Sequence, residues 1–291
     1  MKNKLFFHVS LWLMCFTLTM QSISFNTLIA HQPQKTYAFI NPTYEVGMFS
    51  HFLTLMGFLD FYDQGAYTGV KLDFGHYGLY YEPQYGSNWW EYYFEPIDIG
   101  SAENATIAKY DWGLCHTTAY YVINHVSRAR AYELIQKYIK VKPYISEAVD
   151  EFVNNQFQSD FIIGVHYRGT DKITSGEAGF VAYNKVLQAI QEEIATRQLT
   201  NFKIFIATDE KEFLKVMEAQ FPDQIVYQEA IRSTTPGQPV HIGSSTPYQM
   251  GKEAVLDALL LSRCDCLIRT SSNLSLCSTY FNQSMSVTIL Q

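Results

Sequence analysis

Apolar residues follow two spacings along the chain, and the switches between them mark out its elements. Residues 36–40 form an apolar run of strand length. Residues 46–62 then carry Met48, Phe49, Phe52, Leu53, Leu55, Met56 and Leu59, a spacing that predicts a largely buried helix. A strand that passes through a Gly-containing turn into a buried helix opens an α/β domain. Residues 70–74 alternate and predict the next strand. Residues 75–96 show no clean period and are dense in Gly, Tyr and Trp, so a long ordered loop held by its aromatic side chains is expected there. Residues 118–140 have helical spacing, and Pro143 marks a break.

The second half is more regular. Strands are predicted at Phe161–Tyr167, 203–207, 224–228, Cys266–Arg269 and 285–289. Helices are predicted at 145–157, 181–197, 210–220, 250–263 and 272–281. Strands and helices that alternate at this spacing imply a parallel sheet with helices on both faces. The break at Pro143 therefore divides the chain into two α/β halves, 25–142 and 143–291. Ligands of such folds sit beyond the C-terminal ends of the strands, so the loops after Tyr167, Ala207 and Arg269 are expected to converge.

Composition narrows the reading. The chain has 291 residues, 47% of them hydrophobic, which excludes a disordered polymer. Its net charge of −7 argues against nonspecific nucleic-acid binding, which needs a basic surface to displace counterions. Lys2 and Lys4 precede an uncharged, mostly apolar run over residues 5–20, and Ser22-Ile23-Ser24 supplies small residues after it. This is the pattern of a secretory signal over residues 1–24, with cleavage after Ser24. A signal anchor is the competing reading, although the run is shorter than the roughly 20 residues of a bilayer span. The expected location is the secretory pathway, in a Golgi or ER lumen or exported, with membrane contact only if the segment stays as an anchor. Outside that segment remain Cys115, Cys264, Cys266 and Cys277, as disulfides or as buried thiols. Asn104, Asn273 and Asn282 each begin an N-glycosylation pattern.

The converging loops carry the chemistry. The first runs His166-Tyr167-Arg168-Gly169-Thr170-Asp171-Lys172. A buried strand does not need these charges at its end. Arg168 offers a planar fork of donors that suits a diphosphate, and Asp171 can orient either cation. Gly169 lets the chain turn closely around a ligand. The second loop is Ala207-Thr208-Asp209-Glu210, where Thr208 or Asp209 serves a ligand or simply caps the next helix. In the third region, Asp257 lies in the apolar run Val255-Leu256-Asp257-Ala258-Leu259-Leu260, where a carboxylate must find a partner or face a cleft. Thr270-Ser271-Ser272-Asn273 then places hydroxyls at a helix start, as a phosphate seat or as an ordinary cap.

The ordered set is specific. His166-Tyr167-Arg168-Gly169-Thr170-Asp171-Lys172 resembles the His-x-Arg-x-Thr-Asp-Lys motif of the α1,6-fucosyltransferase family, which includes the rhizobial Nod-factor enzymes. Ala207-Thr208-Asp209-Glu210 resembles that family's next motif. Leu256-Asp257 through Leu261-Ser262, with Asp265 and Thr270-Ser271-Ser272, resembles its third. The resemblance covers roughly residues 161–278. It implies a GT-B-like α/β fold of two facing Rossmann-like domains with the active-site cleft between them. It also implies inverting transfer from a nucleotide sugar, GDP-fucose first, with no metal or other cofactor. By that resemblance Arg168 holds the diphosphate, His166 and Asp257 lie near the nucleoside, and Asp209, Ser271 and Ser272 complete the donor site. Two departures stand out: Gly169 where many relatives have a second Arg, and Glu210 where they usually have Asp. Glu177 is the nearest match to the proposed base of relatives, with one extra intervening residue.

The chemistry is consistent with this. No Asp-x-Asp-like carboxylate pair is present to hold a metal, and a cluster of Arg168 and Lys172 can offset the charge of a departing diphosphate instead. Glu177, Asp171 and His51 are the candidate bases. The first half is expected to hold a glycan acceptor. His51 follows the first strand, and Asn88, Trp90 and Glu91 lie in a stretch whose flat rings and polar edges suit sugars; anchoring of the loop in the core is the other reading. The competing functions are a GT-B transferase with GDP-mannose or another donor, and a non-catalytic carbohydrate-binding relative.

Overall fold

A computed structural model describes residues 35–76, 78–110, 112–169, 181–233 and 246–291. Its frame is two sheets. The first contains β1 (Thr36–Ile40), β2 (Gly69–Leu72), β3 (Asp98–Gly100) and β4 (Thr106–Tyr110), in the order β3-β2-β1-β4. β1 pairs in parallel with both β2 and β4, and β3 runs antiparallel at one edge. The second contains β5 (Phe161–Tyr167), β6 (Phe202–Thr208), β7 (Ile225–Val226), β8 (Cys266–Arg269) and β9 (Ser286–Ile289). Its order is β7-β6-β5-β8-β9, parallel throughout.

The helices are α1 (Met48–Asp63), α2 (Trp112–His125), α3 (Arg128–Tyr138), α4 (Pro143–Gln156), α5 (Tyr183–Arg197), α6 (Lys211–Gln220), α7 (Pro247–Ser262) and α8 (Asn273–Phe281). The predicted strands at Phe161–Tyr167 and Cys266–Arg269 are observed with those bounds. A parallel strand covered on both faces is an unbroken apolar run, which makes its ends visible in sequence. The predicted helix over 118–140 is instead two helices, because Ser127 leaves helical geometry and its side chain accepts from Arg130 N at 3.2 Å. β3 and β4 are elements the apolar pattern did not predict. Both are largely exposed at the sheet edges, and pairing rather than burial makes them strands.

The two halves share a core. Apolar residues of the first half, including Ile40 and Val70 of its sheet, Phe52 and Leu55 of α1 and Trp90, form one cluster with Ile162, Phe205 and Leu267 from one face of the second sheet and Leu260 of α7. Ile163, Val165, Ile204, Ile206, Phe213 and Met217 make a separate core on its other face. α8 packs on α7 and also on α1 and α3 of the first half. There Arg128 donates to Asn282 O at 2.7 Å, beyond the C-terminus of α8, where a cation complements the helix dipole. Arg130 binds Asp60 at 2.8 Å and Asp63 at 2.7 Å, fixing α3 to α1. Among the described residues no helix is long and apolar enough to cross a membrane. Cys264, Cys266 and Cys277 are buried free thiols, so the disulfide reading does not hold for these three.

Candidate active site

The three loops expected to converge do so at the C-terminal edge of the second sheet. Tyr167 and Thr208 lie opposite each other, as do His166 and Arg269. Arg168 is the first residue beyond β5. Its backbone N–H donates to Thr270 Oγ1 at 3.0 Å, and Thr270 N–H donates to His166 O at 3.1 Å. The Arg168 side chain turns to the other neighbouring strand, where Nε lies 3.0 Å from Asp209 Oδ2. The second Asp209 oxygen accepts from Gly169 N at 3.2 Å. Thus Asp209 is not spent on capping α6, whose N-cap position is Glu210. His166 is buried on β5 directly before this turn. Asp171, Lys172 and Glu177, which sequence assigns to this loop, lie outside the described residues.

Glu210 is the other acid here. It is buried, accepts from Tyr183 OH at 2.6 Å, and is pushed up by desolvation. A side chain at Gly169 would overlap the Glu210 carboxyl and the Tyr167 ring. The two departures from the family motif are therefore in contact. Gly169 is required first for packing against Glu210, rather than only for close approach of a ligand.

Beyond β8, Ser271 is exposed, and Ser272 is the N-cap residue of α8 without making a side-chain cap. The helix start is instead organised from below by Arg269, which sequence reasoning did not single out. Its Nη1 donates to Ser272 O at 3.2 Å and to Ser275 Oγ at 3.1 Å, and burial pushes its pKa down. An Arg closing an otherwise apolar strand was the available signal. Asp265 serves the far edge of the sheet, accepting from Ile162 N at 2.7 Å. Asp257 finds the partner its apolar surroundings demand: Gln228 Nε2 donates to it at 2.5 Å. Desolvation outweighs that bond and the nearby Arg232 charge, and pushes the Asp257 carboxyl up to about 7.

The acceptor-side assignments need correction. Trp90 has no exposed surface; it stacks on Phe94 with centroids 4.2 Å apart, and its indole N–H donates to Glu95 O at 3.0 Å. It is a core residue, not a sugar platform. Asn88 is likewise buried, and its side chain accepts from Phe74 N and donates to Leu72 O, tying the loop to β2. His51 is buried in α1 against Phe74 and Trp89. Burial lowers its pKa to about 3, so it is a poor proton acceptor and is withdrawn as a candidate base. Glu91 is exposed and accepts from Asn88 Nδ2 at 2.8 Å.

The aromatic loop is ordered, as expected, with short 3₁₀ turns at Pro83–Tyr85 and Trp89–Tyr92. Its destination was not foreseen, since it docks on the start of α7 in the other half. Tyr93 OH donates to Tyr248 O at 2.8 Å, and Tyr248 N donates to Glu82 Oε2 at 3.0 Å. Tyr80, in the same loop, accepts from Met48 N at the start of α1, and the Arg168 charge opposes the upward shift that burial gives its hydroxyl. The Arg168 charge is thus felt by Tyr80 of the first half.

Two α/β units, one with a sheet parallel throughout and the other with a sheet parallel but for its β3 edge, are a GT-B-like fold of two Rossmann-like domains. The chain belongs to the nodulation protein Z (NodZ) family, whose model matches residues 121–285. Nodulation protein Z of Bradyrhizobium diazoefficiens is 26% identical over 137 residues, 45% of this chain and 36% of that protein. The match therefore spans little more than a third of the curated relative. Among solved structures, NodZ α1,6-fucosyltransferase soaked with GDP-fucose aligns with a TM-score of 0.54 at 18% identity, over 84% of this chain and 92% of that one. Fucosyltransferase NodZ from Bradyrhizobium aligns with a TM-score of 0.55 at 16% identity, over 85% and 92%. At these identities the structural likeness carries the fold.

Proposed function

We propose that this chain is an inverting fucosyltransferase that moves fucose from GDP-fucose to a glycan hydroxyl. The observation that carries this reading is Arg168, held by Asp209 and Thr270 where three strand ends meet, within the stretch matched by the NodZ family. When the sugar–phosphate bond breaks, negative charge grows on the GDP diphosphate. A guanidinium already oriented by a carboxylate stabilises that charge without reorganising. The acceptor oxygen attacks the sugar carbon from the opposite face and gives its proton to a base; Glu177 and Asp171 are the candidates. His166, Asp257, Ser271 and Ser272 complete the proposed donor site in the second half, over residues 143–291, and the first half, 25–142, holds the acceptor. No metal takes part. Read as a secretory signal, residues 1–24 support a secretory compartment supplied with nucleotide sugars as the site of the reaction.

The test is direct. Purified chain is incubated with GDP-fucose, GDP-mannose and UDP-sugars, with and without a glycan mixture, and GDP or UDP release is followed. Fucose-dependent GDP release is the expected result. Preference for another donor would leave a GT-B transferase of different specificity. Donor binding with no turnover on any acceptor would leave a non-catalytic carbohydrate-binding relative.

A further inference from the structure

We propose that Tyr85, Tyr144 and Tyr248 form a carbohydrate-binding platform at the junction of the two halves, a subsite for a sugar ring of the acceptor away from the reacting hydroxyl. This deepens the proposed transferase reading and rests on it for the identity of the glycan as acceptor.

The three tyrosines come from three elements. Tyr85 ends the 3₁₀ turn of the aromatic loop, Tyr144 lies in the first turn of α4, and Tyr248 in the first turn of α7. Tyr85 and Tyr248 stack with centroids 3.7 Å apart and planes 12° from parallel. Tyr248 OH donates to Tyr144 OH at 3.0 Å, and Tyr144 OH donates to Tyr92 O. Despite these ties, Tyr85 is 49% exposed and Tyr144 37% exposed. The attachment of the loop to α7 does not need them, since buried Tyr93 makes it from within, against Gly251, where a side chain would collide with its phenol.

What remains at the surface is rigid aromatic area with polar groups at its rim. Glu82 accepts from the Tyr248 backbone, and Lys252 Nζ lies over the Tyr144 ring, 5.8 Å from its centroid, which leaves Tyr85 as the ring with the most open face. A pyranose has the complementary make-up. Its C–H faces pack on phenol rings, and its equatorial hydroxyls need donors and acceptors at the ring edge. Because stacking and hydrogen bonds already fix the rings, little side-chain freedom is lost on binding. The position also fits. In a parallel α/β sheet the connecting helices run against the strands, so the starts of α4 and α7 lie at the same edge as Arg168. Tyr85 lies in the connection that leaves β2 at its C-terminal end.

The experiment uses the full chain with Tyr85→Ala, Tyr85→Trp and Tyr144→Ala. Tyr85→Ala is expected to raise acceptor KM roughly tenfold, the scale of one aromatic contact, with GDP-fucose KM and Tm unchanged. Tyr85→Trp is expected to stay near wild type, and Tyr144→Ala gives a second reading should Tyr85→Ala melt early. Saturation-transfer NMR with linear hexasaccharides of glucose, mannose and N-acetylglucosamine reads binding without turnover. If the wild type transfers fucose and both alanine variants keep its acceptor KM, the platform is wrong and the transferase stands. If no fucose is transferred yet a hexasaccharide binds and is lost in Tyr85→Ala, the surface stands and the transferase reading falls. Absence of both transfer and hexasaccharide binding overturns the two together.

Discussion

Asp209 grips Arg168 and the backbone that follows it with its two carboxylate oxygens, one at 3.0 Å from the guanidinium Nε and the other at 3.2 Å from Gly169 N. A residue at the end of β6 thereby sets the direction of the cation at the end of β5. The side chains are only partly exposed, 19% for Arg168 and 11% for Asp209, so this pair is less screened than an ordinary surface ion pair.

Arg168→Lys keeps the charge and loses the fork that Asp209 orients. It is expected to lower kcat/KM by roughly 10²-fold or more, the scale of one oriented transition-state donor. Arg168→Ala should be at least as damaging. Asp209→Asn, which keeps shape and removes the carboxylate, is expected to fall between wild type and Arg168→Ala. Donor kinetics measured beside Tm decide the matter. Near-normal turnover in Arg168→Ala removes the diphosphate role, and loss of turnover through unfolding makes Arg168 a structural ion-pair member.

Trp90→Ala empties a fully buried site between Phe52, Phe74 and Phe94. The expected outcome is a loss of roughly 3–5 kcal/mol in stability, the range for a large aromatic truncated in a core. Urea titration measures it. A variant that unfolds like the wild type but binds glycan acceptors weakly would return Trp90 to the acceptor site.

Two desolvated groups act in opposite directions with pH. His51 has its folded pKa lowered from 6.5 to about 3, so its contribution is complete above pH 6.5 and is lost as pH falls toward 3. Asp257 has its folded pKa raised from 3.8 to about 7, so its contribution is present below 3.8 and is lost as pH rises through about 7. His51→Phe should flatten the decline of Tm between pH 6 and 4. Asp257→Asn should steepen it, because an opposing slope is removed. Parallel Tm–pH curves for wild type and both variants would show that neither group titrates as its burial dictates.

Turnover is expected to survive EDTA, because Arg168, with Lys172 beside it in sequence, offsets the leaving charge without a metal ion. Loss of GDP release on chelation, restored by Mn²⁺ or Mg²⁺, is the contrary outcome.

The chain's own pattern determined the second sheet and the loops that matter. β5 and β8 are apolar runs because both faces of a parallel strand are covered, and the polar groups beyond Tyr167, at Asp209 and after Arg269 stand out against them. Periodicity is a local property, so local pattern sufficed. It could not show β4, which is a strand only because β1 lies beside it. Nor could it separate Trp90 from Tyr85. Both are aromatic residues of one loop, and whether a ring fills the core or faces outward depends on what packs over it, which for Tyr85 is α7 from the other half. The partners of the site residues were equally hidden. Gly169 meets Asp209 across 40 positions and Gln228 meets Asp257 across 29, distances in sequence that only the order of the strands closes. Residue type fixed which groups needed a partner, since a buried charge must be matched; the tertiary structure chose the partner, because that choice depends on which strand ends are neighbours.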